Sequence, residues 1–264
     1  MVANSIRNPG LGLRGTMRAS SRATARGQYP PAPDGFTAYV VGDIHGRLDL
    51  LVGVQQRIDE DKAQSYPERT VEVYLGDYID RGPDSAGVVS QLIGRARNTY
   101  TVFLRGNHEQ LLMDFLAGAD CLEQWRHVGG TATLHSYGVA SNLLTCSVSA
   151  DVVRRSLSHL LLEEHHRFYE QSGSYIRLGP YLAVHAGVRP GVKLEDQKTA
   201  DLLGIRREFL EYDGDFEFIV VHGHTPVMVP DLRLNRINID TGAFATNRLT
   251  CLRIGKDGVR LLAE

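Results

Sequence analysis

Hydrophobic residues along this chain fall into two kinds of segment, short continuous apolar runs and longer stripes at helical spacing. Five runs stand out: YVV before Gly42, VEVYL before Gly76, YTVFL before Arg105, YLAV before His185 and FEFIVV before His222. Runs this short and rich in β-branched and aromatic residues predict buried strands. Each runs into a small polar cluster. In order these are Gly42-Asp43-Ile44-His45-Gly46, Gly76-Asp77-Tyr78-Ile79-Asp80-Arg81-Gly82, Arg105-Gly106-Asn107-His108-Glu109, His185-Ala186-Gly187 and His222-Gly223-His224-Thr225. Strands that deliver polar residues at their carboxyl ends are how open α/β sheets build sites.

Between the runs lie helix patterns. Val88, Val89, Leu92, Ile93 and Ala96 share one face, as do Leu111, Leu112, Phe115 and Leu116, so βαβ units are expected in the first half. The stretch SLSHLLLEEHHRFYEQ also predicts a helix, with His165 and His166 on a solvated face. Toward the end, NRINID, RLTCLRI and VRLLA predict short paired strands, the last two joined by a Gly255-Lys256-Asp257-Gly258 turn. From Cys121 to about Ser174 the residues Trp125, Gly129, Gly130, Tyr137 and Gly138 suggest a turn-rich segment, either a connector or a wall that sets substrate choice. Polar clusters spread from Asp43 to His224 need one domain if they are to meet.

Composition narrows the classes. The chain has 264 residues, 42% of them hydrophobic, and a net charge of -2. That balance gives no broad basic field, so no stable nucleic-acid partner is expected. No stretch is long and apolar enough to cross a bilayer. Three cysteines, without CxxC spacing, point to buried thiols in a reducing compartment, and hence to a cytoplasmic protein. Residues 1–35 read as a separate, disordered tail: Arg7, Arg14, Arg18, Arg22 and Arg26 precede the first acidic residue, Asp34. Such a start has the composition of a transit peptide, but it lacks an amphipathic apolar face. The folded unit is therefore expected over 36–264.

GDIHG, GDYIDRG and RGNHE, followed by HAG and GHT, resemble the signature of the phosphoprotein phosphatase family within the calcineurin-like metallophosphoesterase superfamily. DLLGIRREFL and INIDTGA also look like family segments, although the family often carries Trp where this chain has Gly204. The resemblance implies an α/β sandwich of two mixed β-sheets flanked by helices, with two divalent metal ions at one edge. It implies that Asp43 and His45 bind the first metal, that Asp77 bridges, and that Asn107, His185 and His224 bind the second. A pair of cations roughly 3.5 to 4 Å apart needs such a bridging carboxylate. Nitrogen and oxygen ligands without thiolate suit manganese, iron or zinc, with manganese expected to serve in vitro. The glycines around the clusters would let each strand turn sharply where its side chains reach the metals.

The same resemblance assigns chemistry. A metal-bridging hydroxide would attack phosphorus, His108 would protonate the leaving oxygen, and Asp80 would hold His108 in its charged form. Arg81 and Arg206 are the candidates to grip phosphate, with Arg207 adjacent to the second. His222 could orient a ligand, and Arg105 and Glu109 would support their loop by ion pairing. The leading expectation is a metal-dependent phosphomonoesterase acting on phosphoserine or phosphothreonine in a phosphorylated protein. A dinucleoside polyphosphate hydrolase, extending to RNA cap removal, is the alternative. A non-catalytic scaffold is disfavoured because it has no reason to retain this cluster of charge.

Overall fold

A computed structural model describes residues 29–145 and 147–262. Its strands are, in chain order, β1 (Phe36–Val41), β2 (Arg69–Tyr74), β3 (Thr101–Phe103), β4 (Tyr175–Leu178), β5 (Tyr181–Val184), β6 (Ile219–His222), β7 (Asp231–Leu232), β8 (Arg236–Asn238), β9 (Cys251–Gly255) and β10 (Gly258–Leu261). They form two five-stranded sheets, in the order β10-β9-β1-β2-β3 and β4-β5-β6-β8-β7. β1, β2 and β3 are parallel, and β9 and β10 extend that sheet antiparallel. The second sheet mixes parallel β5, β6 and β8 with antiparallel β4 and β7. This is the α/β sandwich of two mixed sheets that the motifs implied.

Side-chain alternation explains the layers. In β1, Ala38 and Val40 enter a core shared with Val71, Val73, Ala183, Val221, Ile237 and Leu252, between the sheets. Tyr39 and Val41 face the other way, into a core with Leu51, Val88, Leu92 and Phe115. A strand covered on both faces has no polar side to display, hence the unbroken apolar run. The outer face of the second sheet places Leu182, Val184 and Val220 against Leu202, Ile205 and Phe209. Burying one such valine or leucine contributes about 1.5–3 kcal/mol.

Helices α1 (Leu48–Ser65), α2 (Ser85–Ala96) and α3 (Asn107–Leu116) follow the first three strands, the last two where the apolar stripes placed them. Asp84 caps α2 by accepting from Gly87 N at 2.8 Å. The segment from Cys121 is not mainly turns. It forms α4 (Leu122–His127), α5 (Gly130–Ser136), α6 (Ala150–Leu160) and α7 (Glu163–Gln171), and the second half adds α8 (Thr199–Gly204), α9 (Arg207–Leu210) and α10 (Ala243–Thr246). Helices of six or seven residues, as α4 and α5 are, carry too few apolar positions to show a stripe.

Three other expectations need correction. His165 is buried, bonded to Ser90 Oγ and Tyr137 Oη, whereas His166 on the same helix is only partly buried and pairs with Glu170. NRINID does not pair with the final hairpin, because β8 joins β6 in the opposite sheet. Finally, residues 29–35 were assigned to the tail but pack on the core. Ala32 is buried and donates its N–H to Gly255 O, and Tyr181 Oη donates to Pro30 O. The five arginines from Arg7 to Arg26, like Cys146, lie outside the described residues. Among the described residues, no helix is long and apolar enough to cross a membrane, and Cys251 is buried.

Candidate metal centre

The loops that leave β1, β2, β3, β5 and β6 meet at the carboxyl edge of the sandwich. Ile44 and His45 donate backbone N–H to Asp77 O at 3.1 and 2.8 Å, and Gly223 N bonds His185 O at 2.8 Å. Glu109 does not form an ion pair with Arg105. Its buried carboxylate accepts N–H bonds from Asp77, Tyr78 and Gly106 at 2.8 to 2.9 Å, tying the second and third motif loops together. Arg105 instead donates to Tyr169 O, Glu170 O and Gln110.

Asp77 lies at the middle. Its Oδ2 is 3.6 Å from His45 Nε2 and 3.8 Å from His108 Nε2, and its Oδ1 is 3.5 Å from His185 Nε2. Two overlapping groups result, His45-Asp77-His108 and Asp77-His185-His224, each able to hold a cation. Asn107 Oδ1 reaches His185 Nε2 at 3.2 Å. Asp43 adjoins them, accepting from His224 N at 3.0 Å through Oδ2, while its buried Oδ1 has no hydrogen-bond partner. Nδ1 of His45 donates to Ile79 O and Nδ1 of His185 to Leu75 O. Those bonds fix the tautomers and leave the Nε2 lone pairs directed at the centre, as ligating histidines require.

Electrostatics agree with this placement. Burial lowers His45 and His224 to about 3, so both are neutral donors. Burial, then the charges of Asp240 and Asp77, raises Asp43 well above the usual carboxylate range. Asp77 is held below that range because surrounding imidazoles outweigh its burial. A carboxylate held out of water with an unpartnered oxygen calls for positive charge.

The backbone is strained here. Of the seven described non-glycine residues with positive φ, five are His45, Asp77, Asp80, Arg81 and His224. Left-handed non-glycine residues cost about 1–3 kcal/mol each and persist only where their surroundings enforce them. Two glycines matter for space rather than for φ. A Cβ at Gly106 would lie 2.1 Å from Asp77 Oδ1, and one at Gly223 would lie 1.9 Å from Asp43 Oδ1.

Around the centre, His108 Nδ1 donates to Asp80 Oδ2 at 2.6 Å. Trp125 Nε1 and Thr133 Oγ1 donate to the same carboxylate. Burial disfavours the charged His108, but Asp77 and then the Asp80 hydrogen bond outweigh it and raise the pKa to about 9. Arg81 Nη2 sits 3.2 Å from His108 Nε2, and Arg206 Nε donates to His224 Nε2 at 3.0 Å. Arg207 points away, paired with Glu211 on an exposed surface. Gly204 is exposed, and a Cβ there would meet nothing within 4 Å. His222 is buried against Phe209 with Nδ1 on Gly223 O, and so bonds no ligand side chain.

Sequence reasoning missed Trp125, Thr133, Asp240 and Phe244. The first two come from the helices that showed no stripe. Asp240 is buried near Asp43, its pKa pushed up to about 6 by burial and by Asp77, and Phe244 follows it on α10. Only their place in INIDTGA and just after it could have drawn notice.

Residues 36–240 match the family model for calcineurin-like phosphoesterases. A protein of Oceanobacillus iheyensis named bis(5'-nucleosyl)-tetraphosphatase PrpE [asymmetrical] is 28% identical over 236 residues, covering 81% of this chain and 87% of that protein. The Bacillus subtilis protein of the same name is 27% identical over 235 residues, covering 81% and 89%. A solved structure assigned as a diadenosine tetraphosphatase superposes with a TM-score of 0.55 at 18% identity, covering 89% of this chain and 97% of that one. A cold-active protein-tyrosine phosphatase of a psychrophilic Shewanella also gives 0.55, at 15% identity over 89% and 83%. These two structural likenesses speak to the fold alone. The family match runs from the first residue of β1 through Asp240, taking in every side chain placed around Asp77. The chain therefore belongs to the calcineurin-like phosphoesterase family and is a metal-dependent phosphoester hydrolase.

Proposed function

We propose that this enzyme hydrolyses dinucleoside polyphosphates, cutting a phosphoanhydride bond with divalent cations that the residues around Asp77 would hold. The observation that carries this reading is the extent of the PrpE likeness, which takes in 81% of this chain and 87% of the Oceanobacillus protein. Arg81 adjoins His108 in one group and Arg206 adjoins His224 in the other, so each group has a guanidinium available to a phosphate oxygen. The phosphoserine or phosphothreonine reading uses the same centre.

The donor set suits divalent cations. Asp43, His45 and Asp77 would hold one, and Asp77, Asn107, His185 and His224 the other. Nitrogen and oxygen donors without thiolate favour manganese, iron or zinc, and manganese is the choice for assay. Cations bound there supply Lewis acidity toward phosphoryl oxygens and a nucleophilic water near neutral pH. The chain's own residues do the rest. Arg81 and Arg206 offer planar forks of donors to phosphate oxygens. His108, held through Nδ1 by Asp80, presents Nε2 to hydrogen-bond the leaving oxygen and, where an alkoxide leaves, to donate its proton. The free thiols of half-buried Cys121 and buried Cys251 fit a reducing cytoplasm.

Turnover of diadenosine tetraphosphate, with a phosphoserine peptide in parallel and chelator controls, tests the reading. Faster hydrolysis of the dinucleotide is expected; preference for the peptide overturns it.

A further inference from the structure

We propose that Phe244 is the platform on which the nucleobase next to the scissile phosphate stacks. This rests on the dinucleoside polyphosphate reading above and names the element that would let the site recognise a nucleotide rather than bare phosphate.

Phe244 keeps 38% of its surface exposed although it touches two site residues. Its ring centroid is 5.4 Å from that of His45, edge to face, and the Arg81 guanidinium carbon is 4.6 Å from it. Single exposed hydrophobics are ordinary and need no function. Met228, Val229 and Leu234 are also exposed, yet none has a described ring or cation contact with the metal cluster. A base sits one ribose away from its phosphate. An aromatic surface against His45 and Arg81 is therefore placed beside the phosphoryl position rather than inside it.

The segment that carries the ring is held firmly. Arg47 Nη1 donates to Ala243 O at 3.0 Å and to Asn247 Oδ1 at 2.6 Å, with Asp49 clamping the rest of the guanidinium. Thr246 Oγ1 donates to Thr241 O and Gly242 O, and Gly242 N donates to Asp240 Oδ1. A ring fixed in advance loses little freedom when a ligand arrives. Every base has a π face, so such a platform tolerates different bases and would take a dinucleoside polyphosphate with adenine or guanine.

The test compares wild type, Phe244→Ala and Phe244→Trp in manganese. Substrates are diadenosine tetraphosphate, inorganic tripolyphosphate, which has no base, and p-nitrophenyl phosphate. Binding of a methylene-bridged, non-hydrolysable dinucleotide is followed by calorimetry. For Phe244→Ala, KM for the dinucleotide and Kd for the analogue should rise about 5- to 100-fold, the range lost when a stacking ring is removed. The loss on tripolyphosphate should be much smaller, and Phe244→Trp should restore analogue binding. Equal losses on tripolyphosphate and dinucleotide would reduce Phe244 to a support for Arg81 and overturn the proposal. Losses confined to p-nitrophenyl phosphate would assign the ring to an aryl ester and overturn it too. A wild type that turns over the dinucleotide with Phe244→Ala unchanged removes the platform alone. A wild type that leaves the dinucleotide intact but hydrolyses a phosphoserine peptide removes the substrate reading itself.

Discussion

The Asp80 carboxylate lies 2.6 Å from Nδ1 of His108, and the bond settles which ring nitrogen can serve a substrate. With Nδ1 occupied, Nε2 is the only nitrogen that can pass a proton outward, and it faces Arg81 and Asp77. Asp80 is itself fixed by Trp125 and Thr133, so the imidazole has little freedom to turn.

If His108 protonates the leaving oxygen, His108→Asn should slow a phosphoserine peptide by about 10²- to 10⁴-fold, the usual worth of general acid catalysis. The loss should be far smaller on p-nitrophenyl phosphate and on diadenosine tetraphosphate, whose leaving groups need less help. Steady-state rates on the three substrates check this. Equal losses on all three would mean that His108 positions substrate instead.

Asp77→Asn should lose bound cations and turnover together. An amide oxygen lacks the charge that holds two cations, and Asp77 alone presents one oxygen to His45 and the other to His185. Elemental analysis of dialysed protein beside kcat is the measurement. Full occupancy with normal turnover would remove Asp77 from the bridging role.

Far from the centre, buried Glu72 accepts from Lys62, Arg95 and Tyr74. Burial raises its pKa, but the bonds from Arg95, Lys62 and Tyr74 outweigh burial and leave it lowered. A depressed folded pKa means that the stabilisation is present above the unfolded carboxylate value and is lost as pH falls through the folded one. Glu72→Gln should therefore cost about 3 kcal/mol at neutral pH, near the lower end for a buried pair losing one partner. The gap from wild type should close below the ordinary carboxylate range. Urea unfolding across pH checks it, and a gap that does not vary with pH would count against the charge.

A chain beginning at Tyr29 should keep its catalytic constants, because every candidate ligand lies at or after Asp43. One beginning at Asp34 should be less stable. It loses the Ala32–Gly255 and Pro30–Tyr181 bonds, and each hydrogen bond is worth about 0.5–1.5 kcal/mol net. Thermal unfolding of the two chains distinguishes them, and equal midpoints would show those contacts to be idle.

The strands that lead into the site and the ten candidate residues were legible because chemistry that needs strand ends leaves short, contiguous motifs, whereas β4 and β7 end in no such motif and were not expected. GDIHG and GDYIDRG each keep their functional side chains within a few residues. Arg206, ambiguous beside Arg207 in sequence, is separated from it by the turn into α9, which sends one guanidinium to His224 and the other to Glu211. What supports the site was not legible. Trp125 and Thr133 reach Asp80 from 45 and 53 residues away, and nothing local marks a residue whose partner is that distant. Burial of His165 escaped notice for the same reason, since Ser90 and Tyr137 belong to other helices.

The Glu109 clamp has a consequence for linkage. By pinning the backbone of Asp77, Tyr78 and Gly106, it holds the ligand-bearing loops in register through the chain's own hydrogen bonds, while an unfolded chain has no such cage. Cation affinity then appears undiminished as folding stability. Above the dissociation constant, each tenfold rise in free cation should add about 1.4 kcal/mol per site to the unfolding free energy. Glu109→Ala would uncouple the two quantities, because part of the binding energy would go into rebuilding the loops, and the slope of melting temperature against cation concentration would begin only at higher concentrations.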